Sequence, residues 1–122
     1  MHELSIAMSL VDTACEESES LAPGARVIAL HLRLGALSGV MKEALLFSFD
    51  VVAADTVIAG ARLLIEDVPV VVMCPSCNQE REIESVQRFR CAVCGAPAPN
   101  VIRGRELELF AMEIDEDVPT HS

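Results

Sequence analysis

Two Cys-x-x-Cys pairs constrain this chain more than any other feature: Cys74-Pro75-Ser76-Cys77 and Cys91-Ala92-Val93-Cys94, the second followed by Gly95. Thirteen residues separate them. On a short hairpin the two hooks present four thiolates to one tetrahedral cation, and Zn²⁺ is the usual occupant. Four soft sulfur donors also suit an iron–sulfur centre. The two-residue spacer lets both sulfurs of a hook reach one ion, and Gly95 permits the positive φ such turns often need. With four protein ligands no coordination position remains for water, so the ion is structural rather than catalytic. A pair of disulfides is disfavoured in a reducing compartment. A thioredoxin-like redox centre needs one Cys-x-x-Cys at a helix start in a βαβ setting, which neither hook has. The fifth cysteine, Cys15, falls on an apolar helical face and reads as a small core residue.

A length of 122 residues allows one domain, or one domain with a small insert. Apolar residues make up 52% of it, with no Trp, no Tyr and four Phe, so its core must be aliphatic. A net charge of −10 argues against nucleic acid, whose phosphates need Lys and Arg, and against anionic membrane surfaces. No apolar run approaches the roughly 20 residues that span a bilayer. No secretion signal is recognisable, and the cysteine usage fits a reducing, cytoplasmic location.

Leu4, Ala7, Met8, Val11, Ala14 and Cys15 recur at helical spacing, which predicts a first helix starting almost at residue 1. The acidic run Glu16-Glu17-Ser18-Glu19 suits a helix C-terminus poorly, so fraying is expected there. Residues 27–34 alternate with period two and predict a strand. From about 41 to 54 the chain reads as a second helix. Its face of Ala44, Leu45, Ser48, Phe49 and Val52, widened by Leu46, Phe47 and Val51, should be largely covered by a sheet. Residues 61–66 predict a second strand, and Val70-Val71-Val72-Met73 runs extended into the first hook. Ile83, Val86 and Phe89 are the only large apolar residues between the hooks, too few to hold a module without a metal. A structural zinc supplies folding free energy on the order of 10 kcal/mol in such cases. Residues 106–111 alternate as a third strand, expected to return and pair with the strands before the hooks. The fold class is therefore α+β: a small mixed three-stranded sheet with two helices and an inserted zinc-ribbon-like module. The main domain spans 1–73 and 100–114, the insert 74–99, and an acidic tail 115–122.

The N-terminus has its own chemistry. Methionine ahead of a bulky histidine is usually retained, which leaves an α-amine on Met1. That amine, the His2 backbone nitrogen and the His2 imidazole can close adjacent chelate rings, and Glu3 can add a backbone nitrogen or its carboxylate. Planar nitrogen ligands favour Ni²⁺ or Cu²⁺. Amide nitrogens must lose a proton to bind, so affinity should fall with pH. A solvated terminus is the plain alternative. His31, mid-strand, reads as a surface or partly packed residue, and His121 lies in the tail.

The stretches Met1-His2-Glu3-Leu4-Ser5-Ile6-Ala7, Gly35-Ala36-Leu37-Ser38-Gly39-Val40, Gly60-Ala61-Arg62-Leu63, both hooks and Gly104-Arg105-Glu106-Leu107-Glu108-Leu109 occur in this order along the chain. In this arrangement the chain resembles the HypA/HybF family of hydrogenase nickel incorporation proteins. The resemblance implies a nickel metallochaperone that helps deliver Ni²⁺ to the large subunit of [NiFe] hydrogenase together with the GTPase HypB. It implies transient nickel at Met1, His2 and Glu3, in the main domain, and structural zinc at Cys74, Cys77, Cys91 and Cys94. Some relatives also serve urease. Certain archaeal members recruit a histidine from the zinc module to nickel; this module has none, so that arrangement cannot occur within one chain. Ala92 stands where many relatives carry proline. The alternative function is a zinc-ribbon protein–protein adapter without a nickel role. An enzyme is not expected, because no nucleophile–base pair, phosphate loop or open metal site is recognisable. The oligomeric state, monomer or homodimer, is left open by the sequence.

Overall fold

The structure is a computed structural model and describes residues 3–116. Its elements run α1 (Glu3–Glu19), β1 (Arg26–Gly35), α2 (Lys42–Ala53), β2 (Arg62–Val68), β3 (Val71–Cys74), β4 (Gln79–Glu82), β5 (Val101–Arg103) and β6 (Leu107–Asp115). One three-stranded sheet has the order β2-β1-β6, the other β4-β3-β5. The last strand does return beside β1, as its need for a partner demanded. The expected two helices, three-stranded sheet and small cysteine-bearing element are all present.

The chain divides into two compact units, one of 1–32, 40–65 and 109–122, the other of 33–39 and 66–108. In the first, α1 packs against α2. Ala7, Leu10, Val11 and Ala14 are the buried residues of α1, at the i, i+3, i+4, i+7 spacing of one helical face. Leu45, Phe49 and Ala53 are those of α2, and Val27, Ala29, Leu30 and Leu32 add to the same unit's core from β1. Phe49 is the largest side chain with no exposed surface. α2 starts without a side-chain cap on Met41. Glu43 in its first turn suits the positive end of the helix dipole.

Three local expectations need correction. The acidic run does not end α1 early; Glu16–Glu19 all belong to the helix. Leu4 and Met8 are half exposed, at the edge of the buried stripe rather than on it. On α2, Phe47 is 72% exposed and Val51 56%, so the fully buried stripe is Leu45, Phe49 and Ala53, with Ala44, Leu46, Ser48 and Val52 half-buried.

In the second unit β3 is the centre of its sheet. It pairs antiparallel with β4 in the register Val71↔Glu82, Val72↔Arg81, Met73↔Glu80 and Cys74↔Gln79, and with β5 on its other edge. Val70, Val72, Ile83 and Ala98 form a small buried cluster, with Leu37, Phe89 and Val101 packed against it. The residues between the hooks are therefore not alone. Val70, Val72, Leu37 and Val101 come from outside the hairpin and supply most of the apolar surface it lacks. Gly35 N donates to Glu106 O and Leu37 N to Gly104 O, each at 2.7 Å, and Ala36 N to Val68 O at 3.0 Å. These bonds tie the 35–37 turn into this unit.

Candidate metal centre

The two hooks fold as the same turn. Asn78 N donates to Cys74 O at 2.8 Å, and Gly95 N to Cys91 O at 2.9 Å. Both closing residues have positive φ, 55° at Asn78 and 77° at Gly95. Asn and Gly are the residues that reach this region at least cost. Inside each turn the backbone points N–H groups at the first sulfur: Cys77 N to Cys74 Sγ at 3.3 Å, and Cys94 N and Val93 N to Cys91 Sγ at 3.4 Å. β3 delivers Cys74 at its end, and the hairpin brings the second hook back to it. The Cys91 N to Ala96 O bond of 2.9 Å and the bridge between Arg90 and Pro97 brace the second hook.

All four sulfurs lie within 4.8 Å of one another. Cys74 Sγ is 3.5 Å from Cys94 Sγ, and Cys77 Sγ is 3.9 Å from Cys91 Sγ. A disulfide has its sulfurs at about 2.05 Å, so these are free thiols. A tetrahedral ion with Zn–S bonds of about 2.3 Å places its sulfurs about 3.8 Å apart, and the observed spacings bracket that value. The donor set fits zinc: four soft sulfurs, two of them buried, with backbone N–H groups already aimed at the charge they acquire.

The thiols are electrostatically unequal. The backbone N–H of Cys94 is the main influence on Cys91, and with Val93 N–H and the side chains of Cys94 and Cys74 it outweighs burial and lowers that thiol to about 6. At Cys94 the backbone at Ala96 is the largest single influence and lowers the thiol. Cys74, burial, Cys77 and Cys91 together outweigh it and push the group to about 12. Cys91 is thus the thiol more readily ionised than Cys94, and a bound dication would draw the proton from the others.

A cation borders the cage. The Cys77 side chain, then that of Cys91, raises the pKa of Arg81. Arg81 was not singled out from the sequence; only the pairing of β4 with β3 places it there. Gln79 and Arg81 share a face with Cys74 and Val72 once the register is known, but the all-polar Gln79-Glu80-Arg81-Glu82 run carries no sign of it in the sequence.

The other candidate residues are distributed differently. Met1, His2 and His121 lie outside the described residues. Glu3 opens α1, and its Oε2 accepts from Met41 N at 2.9 Å. Cys15 is half-buried. His31 pairs with Glu113 at 2.6 Å and lies against the Phe110 ring at 5.9 Å. The cysteine cluster is the only group of three or more His, Cys, Asp or Glu ligands found among the described residues. No helix among them is long and apolar enough to cross a membrane.

A family model described as "Hydrogenase/urease nickel incorporation, metallochaperone, hypA" matches residues 1–114. A protein of Roseiflexus sp. (strain RS-1) named hydrogenase maturation factor HypA is 51% identical over 98% of this chain and 96% of its own length. One of the same name from Chloroflexus aurantiacus is 50% identical over 93% of this chain and 98% of its own. The solution structure of the Ni metallochaperone HypA from Helicobacter pylori shares the fold at a TM-score of 0.60 and 22% identity, covering 93% of this chain and 97% of that one. Family model, near-full-length relatives and the four-sulfur cage together establish that this chain belongs to the HypA family, the hydrogenase/urease nickel incorporation metallochaperones.

Proposed function

We propose that this chain carries Ni²⁺ as cargo at Met1, His2 and Glu3 and passes it to a [NiFe] hydrogenase large subunit in concert with the GTPase HypB. Zn²⁺ in the Cys74–Cys77–Cys91–Cys94 cage holds shape. Family membership carries this reading, since the matching model extends over the Met1-His2-Glu3 stretch as well as both hooks. The donor chemistry separates the two metals: nitrogen at the terminus suits nickel, sulfur in the cage suits zinc. With four protein ligands the cage leaves no site for substrate or water, so the protein is a carrier rather than an enzyme. Its work is done inside the cell, where thiols stay reduced.

Glu3 has a divided role in this reading. Its carboxylate is engaged by Met41 N, at the residue preceding α2. Its backbone nitrogen is then the group offered to nickel, beside the α-amine, the His2 nitrogen and the His2 imidazole. Delivery requires a site that holds the ion yet gives it up at little cost.

The test is a nickel titration of zinc-loaded protein bearing its natural N-terminus, against His2→Ala and against a form extended by a few residues. Nickel binding should be lost in both while zinc content is unchanged. Unaltered nickel affinity, or nickel taken up only by displacing zinc, refutes the reading and leaves a zinc-ribbon adapter.

A further inference from the structure

Arg81 holds a buried side-chain donor that has no hydrogen-bond partner. Its position on β4 opposite Val72, two residues from Gln79 opposite Cys74, sets it on the face of the sheet that bears the first hook. Nη1 donates to Gln79 Oε1 at 3.1 Å. Nε is buried and makes no hydrogen bond to any group. A guanidinium stays charged at any ordinary pH and offers only donors, so a buried N–H left without an acceptor is costly. The side chains of Cys77 and Cys91, one from each hook, are the groups that raise the pKa of this guanidinium. The neighbouring cations are engaged elsewhere: Arg90 Nη1 on Gly95 O at 3.1 Å, Arg103 Nη2 on Glu80 Oε1 at 2.6 Å.

We propose that Arg81 is a positioning residue of the cage, whose Nε–H and adjoining guanidinium edge donate to the sulfurs of Cys77 and Cys91 once these are metal-bound thiolates. Four thiolates around a dication carry net negative charge. A single planar cation spanning one sulfur from each hook offsets that charge and fixes the hooks relative to each other. Lysine could supply the charge but not the fork. Arg81 therefore slows release of the structural ion.

The inference rests on the cage holding zinc, and an equimolar zinc content in the purified wild-type chain establishes that first. Its absence removes the zinc reading before any variant is made. Arg81→Met and Arg81→Lys are then compared with wild type by zinc transfer to excess 4-(2-pyridylazo)resorcinol. Partners of metal ligands typically contribute about 10–100-fold to metal affinity, and Arg81→Met should weaken zinc retention by a factor in that range. Arg81→Lys should recover only part of it. Wild-type retention in folded Arg81→Met overturns the proposal. Should that variant fail to fold, the wild-type protein loaded with cadmium-113 decides. Scalar coupling between the Arg81 Nε–H and the metal supports the N–H···S bond. A rapidly exchanging Nε–H with no such coupling overturns it.

Discussion

Gly35→Ala tests how the segment after β1 is locked to the chain that follows the hooks. Gly35 is not a positive-φ glycine, so its need for a bare Cα is steric. A Cβ there would fall on the Gly104 carbonyl and lie 2.7 Å from Arg105 N, all backbone atoms. Carbon and its neighbours rest at roughly 3.5 Å, so the backbone must separate. Overpacking of this kind costs about 1–3 kcal/mol. The same separation stretches the Gly35 N to Glu106 O and Leu37 N to Gly104 O bonds, both 2.7 Å. At about 1 kcal/mol each, these bring the expected loss to about 3–5 kcal/mol. That is a large part of the 5–15 kcal/mol typical of a whole domain. Because the chain has no Trp or Tyr, urea unfolding of zinc-loaded protein is best followed by far-UV circular dichroism. Gly39→Ala is the control. It has open space around the new methyl but a φ of +79°, so only backbone strain of about 1–2 kcal/mol applies. A loss below about 1 kcal/mol in Gly35→Ala, or one smaller than that of Gly39→Ala, refutes the close-approach argument.

Other outcomes follow from the same geometry. Cys91→Ser should abolish equimolar metal binding and collapse the amide dispersion of residues 79–98 while the helical circular dichroism of α1 and α2 persists, as metal analysis and NMR would show. Phe49→Ala should cost about 3–5 kcal/mol in urea unfolding. Phe47→Ala, two residues away on the same helix, should stay within about 0.5 kcal/mol because its ring is exposed. Arg26→Ala breaks a solvent-facing pair with Asp115 at 3.6 Å and should change stability by at most about 1 kcal/mol in the same assay.

What could be read beforehand was whatever repeats over a short span. Helical periodicity located α1 and α2, and alternation located β1, β2 and β6. The Asn78 and Gly95 turns show that a hook is a local object, closed by bonds spanning four residues. What could not be read was which of several apolar faces another element covers. Leu45 and Phe47 are both apolar residues on one helix, yet one is sealed and the other is 72% exposed. The strands β4 and β5 were also invisible, since Gln79-Glu80-Arg81-Glu82 has no apolar alternation at all. They are strands because β3 offers both edges.

The amino-acid order alone thus determined the chemistry of the cage: four thiols, at spacings that let one ion gather them. Those are properties of covalent distance along the chain. Only the tertiary structure decided that Val70 and Val72 supply the small core beside the hooks, that Gly104 must lie against Gly35, and that Arg81 borders the sulfurs. Contacts between residues far apart in the chain depend on register and packing, which no local pattern of side chains carries.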